Sequence, residues 1–159
     1  MIINFLKKIY YSKYTKKSFS ISNVDLIIDR MFANKKSGNF IDLGCNHPIK
    51  FNNTYLLYKR GWRGLNIDLD ETSISEFNKI RKFDFNVHAL ISNSSNQSKK
   101  VYFYHKRSAI NTVSDKLIKH RKSKKSDYKI IEQKTNTLNE IIDNSPLKNK
   151  NIDLLSIDI

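Results

Sequence analysis

A short apolar run ends in a glycine in the stretch Phe40-Ile41-Asp42-Leu43-Gly44-Cys45-Asn46-His47-Pro48. Its first four residues are typical of a buried strand. A glycine after a strand lets the backbone take a positive φ or approach another group closely. The chain has only four glycines, at positions 38, 44, 61 and 64. The window that holds all of them is where we expect special backbone geometry.

Strand and helix patterns alternate after this stretch. Strand patterns cover residues 40–43, 65–68 and 86–91, and helix patterns cover 53–60 and a segment that begins at Ser73. Asn52 or Asn53 is the expected cap of the first helix, and Gly61 is its expected end. Ser73 and Glu76 have capping-box spacing for the second helix. The order β-α-β-α-β predicts an α/β fold with a parallel sheet and right-handed crossovers.

Helical patterns also precede the first strand. We expect a helix over about 22–34, opened by a variant of the capping box, Ser22 with Asp25. Its apolar stripe would consist of Val24, Ile27, Ile28 and Met31. Residues 1–20 combine helically spaced apolar residues with lysines, so residues 1–37 are predicted to form a helical extension. The first helix either docks on the domain or, through residues 1–17, contacts an anionic membrane surface.

The pattern after residue 91 is less regular. Val101 to Tyr104 is expected to form a strand that pairs back on its predecessor. The lysine-rich residues 115–129 predict a surface loop or a frayed helix. A strand is expected at 130–134, then a short helix capped by Thr137, and a last strand at 152–157.

Composition excludes several classes of protein. The 159 residues fit one domain, and the single cysteine excludes a disulfide framework and a multi-cysteine zinc site. No apolar run approaches the ~20 residues of a membrane-spanning helix. No secretory signal is recognisable, so we expect a reduced, cytoplasmic protein. The four histidines lack metal-ligand spacing, so we predict no metal site.

The net charge of +14 attracts anionic partners without identifying one. It leaves a nucleic-acid-binding module open as an alternative. Against that alternative, the basic residues are scattered and no known nucleic-acid-binding motif is present. We therefore expect no specific nucleic-acid partner.

A carboxylate ends the second predicted strand. Asp68 follows Gly44 by 24 residues. Ligands of open α/β sheets bind outside the carboxyl ends of the strands. A carboxylate only accepts hydrogen bonds, so it suits the two hydroxyls of a ribose. Asp70 and Glu71 are the alternatives for this role.

The absence of other motifs narrows the choice of ligand. Gly44 is not followed by the further glycines of a dinucleotide site, and no phosphate-binding loop is present. A ligand with a ribose but no phosphate, such as S-adenosylmethionine, fits this pattern. We expect its adenine near His88 and Ala89 and its methionine part against Gly44. Asp42 either stabilises the loop or reaches the ligand's amino group through water, and Asn46 either contacts the cofactor or makes a local turn bond.

Several blocks of this sequence resemble a known family. They are Asp42 to Pro48, Asn53 to Asp70, and the later segments 89–93, 137–142 and 152–158. Together they resemble the FkbM family of S-adenosylmethionine-dependent methyltransferases. The resemblance implies a class I methyltransferase fold, which is a Rossmann-like three-layer α/β sandwich. It also implies O-methylation of a hydroxyl on a sugar or a secondary metabolite, so the expected partner is a small-molecule or glycan acceptor.

The resemblance also implies roles for single residues. Gly44 and Asn46 would lie at the cofactor loop, and Asp68 would bind the ribose. Asp158, at the end of the fourth strand of the family's sheet, would lie near the transferable methyl group and is our candidate catalytic base. Cys45 stands where the family usually has alanine, and Pro48 where it usually has a second glycine.

The sequence stops one residue after Asp158, directly after an apolar strand, whereas family members continue. We therefore expect residues 38–159 to be the first part of a methyltransferase domain, with strands 1 to 4 and an incomplete C-terminus. The alternative is a truncated, non-catalytic remnant.

Overall fold

Seven strands, five α-helices and one 3₁₀ turn are formed by residues 15–159, the part of the chain that this computed structural model describes. The strands are β1 (Asn39–Leu43), β2 (Arg63–Asp68), β3 (Phe85–His88), β4 (Leu90–Ile91), β5 (Ser98–Phe103), β6 (Lys129–Asn136) and β7 (Leu154–Ile157). The helices are α1 (Val24–Met31), α2 (Tyr55–Lys59), α3 (Glu71–Ile80), α4 (Asp115–His120) and α5 (Leu138–Asp143), and the 3₁₀ turn is Lys125–Asp127.

The predicted N-terminal helix lies outside the described residues. Its apolar positions fall between Ile2 and Ile9. Most of the predicted membrane-contact segment, residues 1–17, lies outside them as well.

A four-stranded sheet in the order β3-β2-β1-β7 forms the centre of the fold. Every pairing in it is parallel, with Ile41 opposite both Leu65 and Leu155. The predicted alternation of strands and helices over residues 39–91 is confirmed. Because the strands are parallel, their carboxyl ends all lie at the same edge of the sheet, where Leu43, Asp68 and Ile157 end β1, β2 and β7.

Helices cover both faces of this sheet, as the predicted three-layer fold requires. On one face the core consists of buried residues from β1, β2, α5 and the segments after β3 and α5, namely Ile41, Leu43, Leu65, Ile67, Ala89, Ile141 and Leu147. On the other face Phe40 packs against Ile28 of α1, Leu57 of α2 and Trp62. Alternate residues of β1 thus point to opposite layers, as expected for a strand buried on both sides.

A buried arginine lies on the second of these faces. The Arg81 side chain is fully buried, and its Nε donates to Asp84 Oδ2 at 2.9 Å. Its Nη1 donates to Asn52 Oδ1 at 3.1 Å and to Thr54 Oγ1 at 3.0 Å. Thr54 Oγ1 in turn donates to Asp42 Oδ2 at 2.8 Å. The guanidinium therefore connects two buried carboxylates on separate segments of the chain.

A second sheet, in the order β4-β6-β5, corrects the sequence prediction for the later strands. The predicted strand 86–91 is interrupted at Ala89, so β3 joins the central sheet and β4 pairs with β6. β5 does not pair with its predecessor as predicted. It pairs antiparallel with β6 from Ser98 to Phe103. The eight residues of β6 provide a longer partner than the two residues of β4, and they separate β4 from β5.

Several predicted helix starts are also corrected. α1 begins after Asn23, which has a φ of 57°, and no side chain caps it. Asp25 instead accepts hydrogen bonds from the preceding loop, including Phe19 N at 2.6 Å. α3 begins after Asp70, which accepts from Thr72 N at 2.8 Å, and not at Ser73. In α1, Asp25 is used by the preceding loop and does not complete the predicted capping box.

The exposed residues of α1 contradict its predicted apolar stripe. Only Ile28 of that stripe is buried, whereas Ile27 is 60% and Met31 is 73% exposed. The helix turns Asp29 inward instead, where its carboxylate pairs with Arg60 at 3.0 Å. The helix end at Gly61, with a φ of 95°, and the cap at Thr137 are confirmed.

We predict that Arg81→Met destabilises the fold by about 3–5 kcal/mol, because it leaves buried carboxylates without a counter-charge. Burial raises the pKa of Asp42 and of Asp84, and Arg81 opposes that rise. In the variant the native carboxyls hold their protons to higher pH than in the unfolded chain, so stability falls as pH rises. Urea unfolding near about pH 5 and about pH 8 measures this, and the loss should be larger at the higher pH. Lys82→Met, at the exposed neighbouring cation, is the control and should unfold like the wild type.

Candidate functional site

A cleft of about 570 Å³ opens at the carboxyl ends of the central strands. Its floor includes Gly44 and Asn46 after β1, and Asp68 at the end of β2. Residues 89–91 also line the cleft, and so do nine residues between positions 107 and 121, which we call the covering wall: Arg107, Ser108, Ala109, Asn111, Thr112, Val113, Ser114, Leu117 and Arg121. Asp158 and Ile159 after β7 also line it. The volume lies within the range of about 300–1,000 Å³ that is usual for small-molecule sites.

Asp68 connects the two loops that form the floor of the cleft. Its Oδ2 accepts from Asn46 N at 2.8 Å, and its Oδ1 accepts from Asp70 N at 2.8 Å. Burial raises the pKa of Asp68, and these two amide bonds oppose the rise. Each carboxylate oxygen can accept a second hydrogen bond, so the group keeps capacity for a ligand.

Asp70 and Glu71, the alternatives to Asp68 for binding a ribose, are placed less favourably for that role. Asp70 Oδ1 accepts from Thr72 N at 2.8 Å, and its Oδ2 accepts from Arg107 N. Asp70 is therefore used as the cap of α3 and as an anchor for the covering wall. Glu71, in the first turn of α3, does not line the cleft.

Gly44 is required by a close approach between two strands of the protein. It has a φ of 78°, and a Cβ atom at this position would lie 2.1 Å from the carbonyl oxygen of Asp158. Gly44 N and Cys45 N both donate to Ile67 O, at 2.9 and 3.2 Å. The turn after β1 is thereby tied to β2 on one side and packed against the end of β7 on the other. This packing brings Asp158 to the cleft beside Gly44.

Asp42 is not among the residues that line the cleft. It is buried behind the cleft, and its Oδ2 accepts from Thr54 Oγ1 at 2.8 Å and from Asn52 Nδ2 at 3.0 Å. Of the two roles expected for Asp42, this placement fits stabilisation of the loop. His88 does not line the cleft either, and its Nε2 lies 2.9 Å from Leu69 O. Ala89 does line the cleft.

The surroundings of Cys45 and His47 fit structural roles for both residues. Burial raises the pKa of the Cys45 thiol well above its ordinary value, so the nucleophilic thiolate is disfavoured. Burial lowers the pKa of His47, and its Nδ1 accepts from Ile49 N and Lys50 N, both at 3.0 Å. A neutral imidazole that accepts two backbone bonds stabilises the turn that follows Pro48.

The covering wall was missed by the sequence interpretation. Arg107 donates from Nη1 to both carboxylate oxygens of Glu76, at 2.6 and 2.7 Å, which holds the wall against α3. Arg121, in the same wall, follows α4 directly. The rarity of arginine could have pointed to this wall in the sequence. The chain has six arginines among its 29 cationic residues, and two of the six line this cleft. Arginine is preferred where planar, multidentate hydrogen bonding matters.

Two further observations concern membranes and metals. No helix within residues 15–159 combines the length and apolar character that a membrane crossing requires. The same residues contain no group of three or more His, Cys, Asp or Glu side chains arranged to hold a metal ion.

We predict that Asp68→Asn accelerates hydrogen exchange at the Asn46 or Asp70 amide by about tenfold or more. An amide side chain offers one acceptor oxygen in place of two, so one backbone N–H loses its partner. Exchange measured by NMR tests this. Glu71→Gln, a neighbouring acid that does not line the cleft, is the control. Unchanged exchange at both amides would show that Asp68 does not anchor the loops.

One of three comparisons with known proteins gave a match. Searches of curated proteins and of solved structures found no match to the chain. A family model described as the methyltransferase FkbM domain matches residues 33–159. That range includes the whole central sheet and every residue named above as lining the cleft. The chain therefore belongs to the FkbM methyltransferase domain family.

Proposed function

We propose that this protein transfers a methyl group from S-adenosylmethionine to a hydroxyl group of a small molecule or glycan, such as a sugar or a secondary metabolite. Family membership supports methyl transfer in general. The observation that carries the choice of cofactor is the Asp68 carboxylate, which ends β2 in the cleft and keeps hydrogen-bonding capacity on both oxygens.

The residues that line the cleft fit each part of this cofactor. Asp68 would accept hydrogen bonds from the two ribose hydroxyls. Ala89 and Ile91 offer an apolar side wall that suits the flat adenine ring. Gly44 lines the cleft, and the methionine part would lie against the turn that it forms after β1. Ser73 also lines the cleft, and among the described residues its buried hydroxyl has no hydrogen-bond partner.

The chemistry demands little from the protein beyond position. When bound, the cofactor would supply an activated methyl group on a sulfonium, and its transfer to the acceptor oxygen would leave a neutral thioether. The rigid loops around Gly44 and Asp68 would fix the direction of attack, which is the main source of rate in such a step. Asp158 lines the cleft beside Gly44 and is our candidate to take the proton from the acceptor hydroxyl.

We predict that Asp68→Ala weakens binding of S-adenosylhomocysteine by about 10- to 100-fold, because hydrogen bonds to a charged group contribute about 1.5–3 kcal/mol. Isothermal titration calorimetry measures the change. Asp143→Ala, which removes an exposed carboxylate from α5 away from the cleft, is the matched control and should bind like the wild type.

Two results would contradict this assignment. Equal binding by Asp68→Ala and the wild type would remove the ribose role from Asp68. A folded wild type that binds neither S-adenosylmethionine nor its product would contradict the cofactor proposal, and would favour the non-catalytic alternative.

We predict that Asp158→Asn lowers kcat for methyl transfer by about 10²–10⁴-fold, the range for loss of a general base. Its affinity for S-adenosylhomocysteine should stay within about twofold, because a role in proton transfer adds little to cofactor binding. Labelled S-adenosylmethionine with a panel of hydroxylated sugars gives the rate. A parallel loss of cofactor affinity would make Asp158 a binding residue instead.

A further inference from the structure

We propose that the methyl acceptor carries a carboxylate or phosphate group and that Arg121 binds this group in the covering wall of the cleft. The inference rests on the proposed function, since it concerns the acceptor of that reaction. It names a class of substrate that family membership leaves open.

Arg121 is a cation in the cleft without a carboxylate partner. Its Nη1 donates to the carbonyl oxygen of Ile110 at 2.9 Å. Within residues 15–159 no carboxylate oxygen lies within 4.0 Å of its guanidinium. A guanidinium has five N–H donors in a planar fork. One bond to a carbonyl orients the group and leaves donors for a planar or tetrahedral oxyanion.

Arg107 differs from Arg121 although both line the same wall. Glu76 accepts two hydrogen bonds from Arg107 Nη1 and compensates its charge. Arg107 N also donates to Asp70. Arg107 therefore fixes the wall in position, while Arg121 keeps its charge available for a ligand.

Neighbouring lysines strengthen the positive electrostatic potential around Arg121. The segment from Lys116 to Lys125 is exposed except at Ile118 and the half-buried Ser123. Besides Arg121 it carries five lysines and His120 and has no acidic residue; the lysines are Lys116, Lys119, Lys122, Lys124 and Lys125. A charged surface of one sign raises the local concentration of an oppositely charged ligand. These lysines do not line the cleft, so they would attract an anion toward Arg121 without binding it there.

The charged residues that line the cleft come from two parts of the fold. Asp68, Asp70 and Asp158 end or follow strands of the central sheet, whereas Arg107 and Arg121 belong to the covering wall. A cationic sulfonium is favoured near the carboxylates, and an anion is favoured near Arg121. An acceptor with its anion on Arg121 would thus share the cleft with a cofactor held at Gly44 and Asp68.

The test is an NMR titration of the chain saturated with S-adenosylhomocysteine. The probes are glucuronic acid, glucose 6-phosphate and neutral glucose, followed through the amides of residues 107–121 at low and at moderate salt. We expect at least one anionic sugar to bind about tenfold or more tightly than glucose, because hydrogen bonds to ionised groups are the stronger ones. The better of the two anionic probes identifies carboxylate or phosphate as the group bound.

Two variants assign the preference to one side chain. Arg121→Gln should bring the anionic sugars to within about twofold of glucose. Lys119→Gln removes one charge from the same helix outside the cleft and should keep the preference. Attraction by surface charge alone would affect both variants alike and would fade at moderate salt.

The proposal is overturned by any of four results. These are no binding of any probe, equal binding of all three, a preference that survives Arg121→Gln, and an equal loss in both variants. A fifth result also overturns the proposal. If Arg121→Gln loses affinity for S-adenosylhomocysteine and keeps the sugar preference, Arg121 binds the cofactor's own carboxylate. If the wild type binds no S-adenosylhomocysteine, the proposed function fails, and the same titration without it still decides the anion preference.

Discussion

The position of the central strands depends on the buried charge of Arg81. A guanidinium without contact to water is stable only when carboxylates and other acceptors surround it. Asp84 provides one such partner, and Asn52 and Thr54 connect the other side of the group to Asp42 on β1. Asp84 also accepts from Gly64 N at 2.9 Å, so the same network reaches β2. The rings of Phe40, Tyr58 and Phe77 lie within 5.2 Å of the guanidinium and enclose it.

The candidate site is built on this supported layer. The turn at Gly44 is bonded to β2 through Ile67 O, and Asn46 N is bonded to Asp68. Asp68 therefore holds the loops of the cleft while it presents its remaining acceptor capacity to a ligand. Asp42 contributes from behind the cleft, where it belongs to the Arg81 network. Of the two roles that the sequence left open for Asp42, this placement fits stabilisation of the loop, whereas Asp68 lines the cleft.

The parts of the fold predicted from sequence are those governed by local patterns. The apolar run from Phe40 to Leu43, the glycine end of α2 at Gly61 and the cap at Thr137 all depend on nearby residues. The resemblance to the family was carried by several blocks, of which the run from Asn53 to Asp68 was the most specific, and the family match confirms it. The prediction for α1 was wrong because Asp25 and Asp29 bond to residues outside that helix. The predicted start of α3 was wrong because Asp70, three residues before Ser73, caps the helix through Thr72 N.

The sequence by itself determined the α/β alternation and the parallel direction of the first strands. It also placed Gly44 after the first strand and Asp68 at the end of the second. These follow from hydrophobic periodicity and from turn residues, which act over a few positions. The tertiary structure alone decided that Arg81 connects Asp84 to Asp42, that β6 separates β4 from β5, and that Arg107 and Arg121 line the same cleft as Asp68. Apart from the Arg81–Asp84 pair, these arrangements join residues far apart in the chain, and the burial that makes them favourable exists only after the layers have packed.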